Sequence, residues 1–73
     1  MSVFGERLKK VRELRGVGVY ALAEQTEIDP ATIYNWENGH VEWPYAYSML
    51  QVANALDVST DYLLGRTETR AND

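Results

Sequence analysis

Cysteine is absent from the 73 residues, and histidine occurs once, as His40. That excludes disulfides, a thiolate nucleophile and a zinc finger of the usual Cys/His kind. No glycine-rich phosphate loop is present, and the carboxylates show no spacing that suggests a general acid–base pair, so the chain is not expected to be an enzyme. No cofactor and no metal are expected. No apolar run approaches the roughly 20 residues of a membrane span, and no signal peptide is visible. A cytoplasmic protein with no membrane partner is therefore expected. The other conspicuous absence is of one charge sign: Lys and Arg do not occur anywhere between residues 16 and 65.

What is present suits one small globular domain. The apolar content is 45%, enough for a single core and too high for a disordered chain. The net charge of −4 is unevenly spread. Residues 1–15 carry Arg7, Lys9, Lys10, Arg12 and Arg15 against Glu6 and Glu13, whereas residues 16–65 carry seven acids. A basic surface, if there is one, must come from the first fifteen residues, which constrains any nucleic-acid reading.

The sharpest local signal is the stretch IDPATIYNWENG, residues 28–39. Asp29 suits an N-cap, Pro30 the first helical position and Gly39 the left-handed closing position. The spacing predicts a helix over 30–38 with Ile33 and Trp36 inward. Ahead of it, Phe4, Leu8, Val11 and Leu14 repeat at helical spacing and predict a helix over 3–15, stopped by Gly16. A second short helix is expected over 19–26, with Leu22 and Ala23 inward and Ile28 as a plug in the link. Two short helices so joined form a helix-turn-helix. HVEWP reads as a loop. A fourth helix is expected over 45–56, with Ala46, Met49, Leu50, Ala53 and Leu56 on its inner face. Val58 is a plug, and Ser59 caps a last helix over 60–64 with Leu63 inward. RTETRAND has no apolar anchor and is expected to be a loose tail over 67–73.

FGERLKKVRELRG, ALAEQTEIDPATIYNWENG and LQVANALDVSTDYLLGR together resemble the Xre/Cro/lambda-repressor type of helix-turn-helix domain. The resemblance covers nearly the whole chain, with the domain placed at 1–66 and its motif at about 19–38. It implies an all-α, compact five-helix fold in which helices 2 and 3 form the motif and the third enters the DNA major groove. It also implies an ion pair between Arg12 and Glu37, tying the first helix to the third. Contacts to DNA are implied at Val19, Pro30, Ala31, Thr32, Tyr34, Asn35 and His40. At the start of the second helix, where family members often carry Ser-Gln, this chain has Gly18-Val19.

As chemistry, Asn35 can pair bidentately with an adenine edge, Thr32 can bond phosphate or base, and Ala31 can pack on a thymine methyl. Tyr34 is either a solvent-facing tyrosine or a phosphate and sugar contact. His40 is a surface side chain or a phosphate contact. Arg7, Lys9, Lys10 and Arg15 could flank the duplex where they face outward. Val41, Trp43 and Tyr45, with Tyr47, cluster around the loop and the fourth helix as a candidate self-association patch, the alternative being ordinary core packing.

The function implied is a sequence-specific transcription regulator, a repressor, binding double-stranded DNA as a homodimer. Affinity of a monomer is expected to be weak, with a shallow salt dependence. The alternative is a protein-interaction module that keeps the fold but has lost or weakened DNA binding. With no sensor domain in the sequence, control is expected to come from a regulatory protein partner, proteolysis or concentration.

Overall fold

Helix α1, Val3–Leu14, starts where Ser2 turns its hydroxyl back to accept from the Gly5 amide at 3.1 Å. The computed structural model describes residues 2–41 and 44–70. Phe4, Gly5, Leu8 and Val11 form the buried face of α1, a stripe at the helical period. Leu14, expected on that stripe, is 58% exposed. At about 3.6 residues per turn it is carried off the side that Phe4, Gly5, Leu8 and Val11 bury, and it shares a shallow depression with Lys10, Glu13 and Glu37.

α2, Val19–Thr26, and α3, Pro30–Glu37, form the expected motif. α2 buries Val19, Leu22, Ala23 and Thr26, and the Thr26 hydroxyl donates to the Leu22 carbonyl at 2.8 Å. The turn is made by Glu27, which stands in the left-handed region at φ 59° without being a glycine. Ile28, half-buried, packs on the core beside it. Asp29 caps α3 as expected, accepting from the Ala31 amide at 2.8 Å. At the other end Gly39, at φ 80°, turns the chain so that the Gly39 and His40 amides donate back to the Trp36 and Asn35 carbonyls. Ile33 and Trp36 point inward.

α4, Ala46–Leu56, buries Met49, Val52, Ala53 and Leu56. Its inner face is therefore rotated from the one expected: Ala46 is exposed, Leu50 is 44% exposed and Val52 is fully buried. Apolar residues occur on two adjacent faces of this helix, so periodicity alone does not choose between them. Val58 is fully buried, and Ser59 caps α5, Thr60–Leu63, by accepting from the Tyr62 amide. All described regular structure is helical.

α1 packs on α3 and α5, α2 on α3 and α4, and α4 on α5, around one core of Phe4, Leu8, Leu22, Ile33, Val52, Leu56, Val58 and Leu63. Phe4 meets Trp36 edge to face, with centroids 5.5 Å apart. At Gly5 the backbone of α1 lies directly on the last turn of α3. A Cβ there would strike the Trp36 carbonyl oxygen and stand 3.0 Å from its carbon. Residues 67–70 of the expected loose tail make polar contacts with the domain. Thr67 and Glu68 accept from Arg7, and the Arg70 carbonyl accepts from the Ser59 amide. Residues 71–73 lie outside the described residues.

Candidate nucleic-acid interface

An eight-residue helix does not persist alone in water. α3 is held by its Asp29 cap, by the burial of Ile33 and Trp36, and at its C-terminal end by a side-chain pair. Arg12 Nε donates to Glu37 Oε2 at 2.7 Å and Nη2 donates to Oε1 at 3.0 Å. The third arm of the fork, Nη1, donates to the Val17 carbonyl at 2.9 Å. The side chains are 12% and 4% exposed. The Glu37 hydrogen bond raises the Arg12 guanidinium above its already strongly basic range, against the opposing effect of burial. This planar, bidentate arrangement is the interaction that lysine could not reproduce.

What α3 turns outward is Ala31, Tyr34 and Asn35, all exposed, with Pro30 and Thr32 half-buried at its edges. Ala31 and Asn35 are one turn apart and therefore share a face. Thr32 leans towards a groove lined by Ile28, Trp36, Val41, Pro44, Tyr45 and Ser48. His40 is exposed beyond the end of the helix. Val19, carried over from the resemblance as a contact position, is only 6% exposed: it faces Leu22 and the core, so its side chain offers nothing to a ligand. No side chain caps α2 at Gly18. Its first-turn amides are thus not engaged by a capping side chain, and they carry the positive end of the helix dipole.

One residue that sequence reasoning missed belongs here. Tyr20 is 71% exposed on the first turn of α2 and meets Tyr34 edge to face, with centroids 6.5 Å apart at 74°. The available signal was its place on the polar stripe Tyr20, Glu24, Glu27, where an aromatic side chain has no core to join.

Of the four cations expected to flank this face, two are engaged elsewhere. Arg7 donates to the Tyr62 carbonyl at 2.9 Å, the Thr67 carbonyl at 2.6 Å and Glu68 at 2.8 Å, and lies 4.5 Å over the Tyr62 ring. Arg15 donates to the Leu56 and Asp57 carbonyls, neutralising the negative end of α4. Arg7 is therefore not among the outward-facing cations, whereas Arg15 stays exposed while engaged; both tie α1 to the C-terminal half. Lys9 and Lys10 remain exposed, beside Glu6 and Glu13. The exposed charges on the motif are the acids Glu24, Glu27 and Asp29.

In the expected self-association patch, Tyr45 is 87% exposed, Tyr47 73% and Val41 39%; Trp43 lies outside the described residues. Among the described residues no three His, Cys, Asp or Glu side chains gather as metal ligands, and no helix is long and apolar enough to cross a membrane.

The chain's relatives agree with this geometry. A helix-turn-helix domain family matches residues 5–68. The HTH-type transcriptional regulator ImmR of Bacillus subtilis (strain 168) is 36% identical over 64 residues, 88% of this chain. The chain spans about half the length of that curated relative. Among solved structures, SinR, the master regulator for biofilm formation, in complex with DNA superposes with a TM-score of 0.81 at 28% identity, covering 84% of this chain and 97% of that one. The P22 c2 repressor in complex with a synthetic operator gives the same score and identity, covering 92% and 100%. In sequence, fold and motif geometry, the chain belongs to the helix-turn-helix domain family, in its Xre/lambda-repressor type.

Proposed function

We propose that this chain is a sequence-specific DNA-binding transcription regulator, acting as a repressor in the cytoplasm and as a homodimer on its operator. The observation that carries the reading is the outward strip of α3: a helix fixed at both ends that presents Ala31 and Asn35 on one face, with Tyr34 beside them. Asn35 reads an adenine edge, Ala31 packs on a thymine methyl and Thr32 bonds phosphate or base at the rim. The uncapped N-terminus of α2 seats a backbone phosphate. The relatives solved with DNA and operator support the same partner.

With so few free cations, one domain holds DNA weakly, and two domains on one duplex recover affinity through effective concentration. Extents of 27 × 23 × 21 Å allow two copies to sit on successive major-groove turns, spaced by about 34 Å. Val41, Tyr45 and Tyr47, with Trp43, are the proposed dimer contacts, and repression follows from occupying the operator. No catalytic step is proposed. A regulatory protein partner is proposed as one means of control.

A second reading has an observation of its own. Glu24, Glu27 and Asp29 stand exposed on a motif without Lys or Arg, which suits an interaction module that has lost DNA binding. Selection from a random duplex library at low salt separates the two. The DNA reading expects an enriched sequence whose binding falls selectively with Asn35→Ala. If no sequence is enriched, or if Asn35→Ala and a Lys9→Ala/Lys10→Ala variant weaken all duplexes alike, sequence-specific recognition is excluded.

A further inference from the structure

The strip that carries Asn35 has no cation, yet two phenols meet at its edge. Tyr20 on α2 and Tyr34 on α3 are both substantially exposed, so their contact contributes little to the core. Its effect is orientational: an edge-to-face neighbour restricts the swing of the Tyr34 ring. Tyr34 follows Ala31 by one turn and precedes Asn35, which sets the ring at the margin of the strip rather than at its centre. A tyrosine hydroxyl is a neutral donor that can bond a phosphate oxygen without displacing a counterion.

We infer that Tyr34 donates its hydroxyl to a backbone phosphate and that Tyr20 is the positioning residue that holds it there. The pair gives the motif a charge-free grip on the duplex. This rests on the DNA-binding reading above. The contact is blind to sequence, so Asn35 discriminates while the tyrosines hold. It also explains how a face with three exposed acids and no cation keeps a duplex close.

The test measures binding of the full chain to its selected duplex and to a scrambled one, each across a salt series, with thermal unfolding as the control for folding. Tyr34→Phe should lose about tenfold on both duplexes, the loss of one hydrogen bond to a charged group. Tyr20→Ala should lose about as much, Tyr20→Phe should bind like the wild type, and Tyr20→Ala added to Tyr34→Phe should cost nothing further. The slope of log affinity against log salt should be the same in every variant, because no counterion contact is removed. Wild-type binding by Tyr20→Ala or by Tyr34→Phe, a Tyr20→Phe variant as weak as Tyr20→Ala, or additive losses would each overturn the pair while leaving the DNA reading intact. A wild-type chain that selects no duplex overturns both.

Discussion

Replacing Gly5 by alanine pits two effects of opposite sign against each other. In an unconstrained helix, alanine in place of glycine is stabilising by about 1 kcal/mol. At this position the added methyl meets backbone: it collides with the Trp36 carbonyl oxygen and stands 3.0 Å from the Trp36 carbon and 3.4 Å from the Glu37 Cα. No side chain can swing aside to relieve it, so α1 must lift from the last turn of α3. Overpacking of this kind costs about 1–3 kcal/mol, and more where backbone moves. The displacement also disturbs the Phe4–Trp36 contact and the Arg12–Glu37 pair, which span the same crossing. Net destabilisation of about 2 kcal/mol is expected. In a domain of this size that lowers Tm by about 10 °C. Thermal unfolding followed by far-UV circular dichroism reads it directly, with Lys9→Ala on the exposed face of α1 as a control expected within about 0.5 kcal/mol of wild type. A Tm equal to or above that of the wild type would refute the close approach and, with it, the account of how α3 is held.

Further expectations follow from the ties and turns. Glu37→Ala leaves the Arg12 guanidinium mostly buried without its carboxylate and should cost about 3 kcal/mol by urea unfolding; a change below a few tenths would show the pair to be idle. Because the folded Arg12 pKa is raised, the pair's contribution is fully present below the ordinary arginine value and is lost only as pH rises through the raised one. It therefore adds no slope to stability near neutral pH. Glu27→Gly should raise stability by about 0.5 kcal/mol, since it relieves a left-handed non-glycine residue and removes a negative charge from a helix C-terminus; a lower Tm would contradict that. Arg15→Met should cost about 1–2 kcal/mol and speed amide exchange in the last turn of α4, an effect absent if its bonds to the Leu56 and Asp57 carbonyls are not formed in solution. Tyr45→Ser should shift sedimenting mass from dimer to monomer; equal masses for variant and wild type would remove Tyr45 from the proposed interface.

The readable part of this fold is its punctuation. Asp29, Ser59 and Gly39 act through amides one to three residues away, so their roles are written locally and the helix bounds follow. Failures begin where the deciding partner is distant in sequence. Nothing near Leu14 says that α1 buries the side marked by Gly5 rather than its own, and nothing within α4 says which of two apolar faces meets α2 and α5. Gly5 reads as a weak helix residue until α3 is laid across it. At the interface, Asn35, Ala31 and Tyr34 are found outward where the motif pattern puts them. Val19 is not, because the residue type in that place is apolar and the core takes it. Tyr20 becomes visible only once Tyr34 is seen beside it.

The engagement of Arg7, Arg12 and Arg15 in bonds within the chain bears on how fast a partner is found as well as how tightly it is held. Electrostatic steering raises association rates far above the unsteered 10⁵–10⁶ M⁻¹s⁻¹ or so, and a basic footprint lets a protein slide along DNA between sites. A domain in which these three arginines are bound to its own carbonyls and carboxylates has less of both. On the DNA-binding reading it reaches its operator by repeated three-dimensional encounters, with an on-rate nearly independent of ionic strength and brief stays on other sequences. Occupancy is then set by how many copies the cell holds, and a modest change in their number moves the operator between filled and empty.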